Sequence, residues 1–130
     1  MSDAAQCMAE TFSEWVDRAL APGHPAKVVA FSFNLYEHVN SYAIELIGCS
    51  RYDPNNPDWA QEEIFSFREE PFELPHATVG STWREGLGVA ITLVKDFINQ
   101  ADGNHPLRRA RAVTVGFVDG DLICVWPRAR

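Results

Sequence analysis

Cysteine is scarce in this chain, and long apolar runs are missing. Cys7, Cys49 and Cys124 are far apart and lack the CxxC spacing of zinc or redox sites, so we expect reduced, mostly buried thiols. Residues 1–6 lack the basic and apolar parts of a secretory signal, and no apolar run approaches the roughly 18 residues that span a bilayer. These absences predict a cytoplasmic protein without a membrane segment.

Motifs for catalysis or cofactor binding are also missing. The sequence has no nucleophile elbow, P-loop, dinucleotide-binding GxGxxG or HExxH pattern. Gly86 and Gly88 form a GxG pair, but the pair lies inside a predicted helix and not at a strand-to-helix turn. All four histidines lie in predicted turns, where a solvated imidazole is the usual outcome. We therefore predict no catalytic residue, no cofactor and no metal ion.

Basic residues are also fewer than acidic ones. The 130 residues carry a formal net charge of -7, with 46% hydrophobic and 22% charged residues, which is typical of one globular domain. Nucleic acids and anionic membranes need a cationic surface, so neither is expected as a partner. A protein with a basic surface fits the charge better.

Apolar residues at helical spacing predict two long helices. The first covers residues 4–20 and ends at a segment that contains two prolines and a glycine. The second begins at Thr82, which forms a T-x-x-E capping box with Glu85, and ends before residue 102. The small residues Gly86 and Gly88 predict a close approach of this helix to the sheet.

Period-two alternation predicts the strands. Residues 28–36 and 42–48 form one hairpin, residues 62–68 form a third strand, and residues 69–75 are irregular. Residues 112–118 and 121–126 form a second hairpin around Asp119-Gly120, a pair suited to a type I′ turn. The predicted fold is α+β, a single domain of order α-β-β-(β)-α-β-β. It has an antiparallel sheet of four to five strands, with both helices mainly on one face.

Acidic residues concentrate between residues 53 and 73, where seven carboxylates face a single arginine and give a local charge of -6. Aromatic side chains alternate with these acids, a mixture that attracts and anchors a basic protein partner. The alternative is that the aromatics belong to the core and the acids protect an edge strand from aggregation. The predicted partner-binding residues are Tyr52, Asp53, Asp58, Trp59, Glu62, Glu63, Glu69, Glu70, Phe72 and Glu73.

Two other functions remain open at this stage. A small enzyme or ligand-binding domain would use the region around Tyr36, Glu37, His38 and Asn40, provided that one concave pocket joins these residues. A structural module would form a homodimer through an exposed strand at residues 121–126.

Three stretches together resemble a family of small acidic bacterial proteins. They are FSFNLYE at residues 31–37, IELIG at 44–48 with DWAQEEIF at 58–65, and VGFVDGD at 115–121. The family is similar in character to the immunity proteins of polymorphic and contact-delivered toxin systems. The resemblance implies a small cytosolic α+β protein that neutralises a cognate toxin domain by binding it, and it implies no enzyme activity.

Overall fold

Two 18-residue helices and five strands dominate residues 3–127, the part of the chain that a computed structural model describes. The helices are α1 (Asp3–Leu20), α2 (His76–Val79), α3 (Trp83–Gln100) and α4 (Pro106–Arg109), and a 3₁₀ helix covers Pro57–Gln61. The strands are β1 (Ala30–Glu37), β2 (Ser41–Cys49), β3 (Glu63–Pro75), β4 (Ala112–Phe117) and β5 (Ile123–Trp126). The α+β class and the strand count are confirmed, whereas the short helices α2 and α4 were not predicted.

The sheet is mixed, with the strand order β3-β2-β1-β4-β5. Three of its four pairings are antiparallel, but β1 and β4 run parallel, from Ala30 opposite Ala112 to Leu35 opposite Phe117. The prediction of a wholly antiparallel sheet is therefore wrong at its centre. The reason is that α3, about 27 Å long at 1.5 Å per residue, carries the chain back across the sheet before β4 begins.

The two long helices pack on one face of this sheet. The predicted apolar stripe of α1 is buried, with Phe12 and Trp15 each 1% exposed, against Phe33 of β1 and Phe72 of β3. The ring centroids of Phe12 and Phe72 are 5.2 Å apart at an edge-to-face angle of 82°, a favourable geometry for aromatic pairs. Within residues 3–127, no helix is long and apolar enough to cross a membrane.

The opposite face of the sheet carries polar side chains, and no long helix within residues 3–127 covers it. Thr114 of β4 donates a hydrogen bond to the Ser32 hydroxyl (2.9 Å), which donates in turn to the side-chain oxygen of Asn34 (2.7 Å). Both hydroxyls are buried, so this chain of bonds removes the cost of burying them. At one end of the face, the 3₁₀ helix places Trp59 over Ala30, Ile47 and Cys49.

β3 is longer than the sequence predicts. Residues 69–75 were expected to be irregular, but Phe72 pairs with Ile44 and Leu74 pairs with Tyr42. A bulge separates this half from the first, because the register jumps between the pairs of Ile44 and Leu46. Pro71 lies in the bulge, where its missing N–H costs no ladder bond and β3 is an edge strand of the sheet.

The hairpin of β4 and β5 is confirmed as an antiparallel pair, but its turn is not type I′. That turn requires positive φ at both central residues, and in the described residues only Gly23 and Gly80 have positive φ. The connection instead spans residues 118–122 and folds back over β4. A Cβ at Gly116 would clash with the backbone oxygen of Asp121.

The prediction that the cysteines are mostly buried is wrong for two of the three. Cys7 lies on the exposed side of α1, and Cys124 is exposed on β5. Cys49 lies in the interior of the sheet, where burial, followed by the charges of Glu63 and Glu62, raises the pKa of its thiol to about 11. The three thiols therefore differ in reactivity.

At pH 8, we expect two thiols of the native protein to react quickly with Ellman's reagent. The third should react only after unfolding in guanidinium, because the Cys49 thiol is shielded and un-ionised. Cys49→Ala should leave the two fast equivalents unchanged. A third fast equivalent in the native protein would contradict the placement of Cys49.

Substitutions at two glycines of α3 should have opposite effects on stability. A Cβ at Gly86 would lie 2.5 Å from the ring of buried Tyr42, which is held by a hydrogen bond to the Ser81 carbonyl, whereas a Cβ at Gly88 meets open space. We expect Gly86→Ala to lower the free energy of unfolding by roughly 1–3 kcal/mol. Gly88→Ala should raise it by about 0.5–1 kcal/mol through helix propensity. Urea denaturation measures both, and equal effects would contradict the close approach.

Candidate functional site

The predicted partner-binding residues fall into two groups in the structure. Tyr52, Asp53, Asp58, Trp59 and Glu62 belong to the loop around the 3₁₀ helix, and Glu63, Glu69, Glu70, Phe72 and Glu73 belong to β3. The loop group without Tyr52 lines a recess of about 350 Å³, in which the acids Asp53, Asp58 and Glu62 lie together with Arg51. The structure thus brings together three of the seven predicted carboxylates.

Local hydrogen bonds shape this loop. The Asp53 side chain accepts from the Asn55 N–H (2.8 Å), and the Asn56 side chain caps the 3₁₀ helix by accepting from the Asp58 N–H (3.0 Å). Pro57 occupies the first turn, where its missing N–H costs nothing. These turn and capping bonds restrain the backbone of the loop that lines the recess.

Two of the predicted anchor residues lie in the interior. Trp59 is 4% exposed and packs edge-to-face on Tyr52 (5.2 Å between centroids), and Phe72 is 7% exposed in the core beneath α1. This burial argues against their predicted role as anchors for a partner, although a small part of Trp59 lines the recess. Aromatic side chains in a small domain complete its core, and Trp59 fastens the acidic loop to the sheet.

Most carboxylates of β3 have partners within the chain. Glu70 pairs with Arg18 of α1 at 2.5 Å, with both side chains about half exposed. Glu73 accepts from the Ser41 hydroxyl (2.7 Å) and lies 3.0 Å from the Nδ1 atom of His38. The local charge of -6 is therefore reduced by Arg18, which is distant in the sequence. Glu69 lies exposed in the bulge, where it accepts a hydrogen bond from the neighbouring Arg68 N–H.

An ion-pair cluster on the polar face was not predicted. Arg68, in the bulge of β3, donates through Nε to Glu45 of β2 and through both terminal nitrogens to Glu63, at 2.5 Å each. The Glu45 side chain is only 11% exposed. The hydrogen bonds to Glu63, and next those to Glu45, raise the pKa of Arg68 above its ordinary value. Glu63 is therefore part of the internal structure and is not free to attract a partner.

The residues proposed for a ligand pocket are not joined in one concavity. The rings of Tyr36 and His38 are 4.9 Å apart, and Asn40 lies in the β1–β2 turn, where its carbonyl accepts from the His76 N–H. Burial, and then the charges of Glu45 and Glu73, raises the pKa of Tyr36. Of the proposed set, Tyr36 and Glu37 line a cleft at the end of β1. This geometry gives no support to the four-residue pocket.

Comparisons of the chain with protein-family models, with curated proteins and with solved structures each found no match. Within residues 3–127, no three His, Cys, Asp or Glu side chains are grouped so that they could hold a metal ion. A functional assignment therefore depends on the chemistry of the surface.

Removing Arg68 should destabilise the protein more than removing an exposed arginine. Arg68→Met leaves the buried Glu45 without its arginine, and we expect a loss of roughly 3 kcal/mol in the free energy of unfolding, the low end for a broken buried pair because the Arg68 side chain is half exposed. Arg18→Met breaks the exposed pair with Glu70 and should cost less than about 1 kcal/mol.

The double variant Glu45→Gln/Arg68→Met should recover part of the loss, because the unpaired charge is then absent. Guanidinium denaturation compares the three variants with the parent. Equal losses for Arg68→Met and Arg18→Met would contradict a structural role of the cluster.

Proposed function

We propose that this chain is a non-catalytic protein-binding domain that holds a basic partner on an acidic surface. We define the acidic surface as two separate parts, the carboxylates of Asp53, Asp58 and Glu62 around the recess and the exposed carboxylate of Glu69 in the bulge of β3. The observation that carries the proposal is the recess itself, where three carboxylates face one basic group, and the Arg51 guanidinium is 3.5 Å from Glu62. A lysine or arginine of a partner would satisfy the excess negative charge.

The rigidity of the loop supports this proposal. Buried Trp59 and the caps at Asp53 and Asn56 order the loop before any partner arrives, so binding loses little conformational entropy. Charges at the exposed edge of a sheet also accelerate the encounter with a basic protein. An acidic edge that only prevents aggregation would need no ordered recess.

We further propose that the partner is a bacterial toxin domain with a basic surface and that binding neutralises it. The support for this role is the resemblance of the chain to immunity proteins, together with its net charge of -7. In this role the protein acts in the cytoplasm, where it covers the toxin domain. β5 is an edge strand, so homodimer formation remains a second arrangement that light scattering would detect.

Charge reversal at the acidic surface should weaken binding to the toxin-like product of a neighbouring gene. We expect Asp58→Lys/Glu62→Lys/Glu69→Lys to lower the affinity at least tenfold, which is about 1.4 kcal/mol. Isothermal titration calorimetry measures the affinity, and protection of cells that express the partner measures the role. The affinity of the parent should also fall with added salt.

A matched control carries the same change in charge elsewhere. Glu10→Lys/Glu14→Lys/Asp96→Lys alters three exposed acids of α1 and α3 and should retain the parental affinity. Unchanged binding by the first variant would remove the acidic surface from the proposal. Tight binding without protection of cells would remove the toxin-neutralising role.

A further inference from the structure

The carboxyl ends of β1 and β4 lie side by side, and the chain leaves them in opposite directions. From β1 the chain turns into β2, and from β4 it passes through residues 118–122 into β5. In the strand order, β2 and β5 therefore flank the β1–β4 pair on opposite sides. These two connections lead to strands on opposite sides of the β1–β4 pair and leave a crevice between them. Here the crevice is a cleft of about 640 Å³, within the range of roughly 300–1,000 Å³ for ligand pockets.

The walls of this cleft are apolar and exposed. Trp83, Val118 and Ile123 are 54%, 59% and 38% exposed, and they share the cleft with half-buried Leu87 and Phe117. Of the five exposed large apolar side chains that the structure describes, three therefore line this one concavity. Apolar side chains gathered in one place on a surface mark an interaction site, whereas single ones are ordinary.

The Trp83 ring is held in position. It is the first residue of α3, directly after the capping box in which the Thr82 hydroxyl donates to Glu85 (2.7 Å), and it packs edge-to-face on Phe117 (6.4 Å). Arg84 lies over the same ring at 5.2 Å but does not line the cleft. An ordered, half-exposed tryptophan is the side chain most often dominant in protein recognition.

The rim of the cleft is acidic. Glu37, Asp119 and Asp121 are all exposed there, and the cleft has no basic side chain in its lining within residues 3–127. The amino end of α3 does not reverse this charge, because Glu85 already places its carboxylate on the cap. The cleft thus combines an apolar wall with a negative rim, which suits a cationic and apolar ligand.

We propose that this cleft binds a short extended segment of a protein partner in which large apolar and basic residues alternate. One apolar side chain packs against Trp83 and Phe117, and the neighbouring lysine or arginine lies beside Glu37 and Asp119. A second copy of this chain fits poorly, because a protein of net charge -7 would face an acidic rim. The cleft shares no residue with the acidic surface, so the two proposals stand separately.

Three acetylated, amidated pentapeptides test the inference: KFKFK, KGKGK and EFEFE. Each is titrated into the full-length ¹⁵N-labelled protein, with NMR shifts of the Trp83 indole and of the amides of residues 117–123 as the readout. We expect KFKFK to shift these signals with an affinity at least tenfold above that of either control. Equal binding of KGKGK would reduce the effect to charge alone, and equal binding of EFEFE would remove the acidic rim; either result overturns the proposal.

Matched variants locate the site. Trp83→Ala should weaken KFKFK at least fivefold, whereas Ile64→Ala, which removes an exposed apolar side chain from β3, should have no effect. Glu37→Gln/Asp119→Asn should weaken binding and reduce its salt dependence. Intact dispersion in the spectra of these variants shows that folding is retained. Unchanged affinity in Trp83→Ala, or concentration-dependent self-association that Trp83→Ala abolishes, would overturn the proposal.

Discussion

β1 and β4 run side by side in the same direction at the centre of the sheet, and most other features follow from this parallel pairing. For β4 to run parallel to β1, the chain must return to the end of the sheet where β1 begins. The helix α3 makes this return across one face of the sheet. The antiparallel strands β2 and β5 are then added on opposite sides. The central strands become the most buried, the helices share one face, and a cleft remains where the two connections separate.

The two faces of the sheet differ, because the long helices pack on the apolar face and the opposite face carries polar and charged side chains. Ser32 and Thr114 lie on the face opposite the long helices. Their hydroxyls are nevertheless buried, and each forms a hydrogen bond with a neighbouring side chain. Glu45 of β2 is also buried, and it forms an ion pair with Arg68 in the bulge of β3. Glu45, Glu63 and Glu70 are therefore held in ion pairs with arginines of the same chain.

The aromatic residues also divide between the two faces of the sheet. Phe12, Trp15, Phe33 and Phe72 form one cluster between the helices and the sheet, and Trp59 closes a smaller cluster on the polar face. Trp83 differs because it is the first residue of α3 and remains 54% exposed, with one side of its ring against Phe117. Aromatic content alone does not separate these classes, since exposure depends on what lies above each ring.

Local patterns determined much of the architecture: the stripe of α1, the capping box of α3, the β1–β2 and β4–β5 hairpins, and the α+β class, because each depends on residues close together in the chain. Contacts between distant residues were decided by the tertiary structure. The parallel β1–β4 pair, the continuation of β3 past its bulge, and the burial of Trp59 and Phe72 all require the path of the whole chain. The distribution of charge also depends on the tertiary structure. The number of carboxylates can be read from the sequence, but the pairing of Arg18 with Glu70 and of Arg68 with Glu45 requires the folded chain.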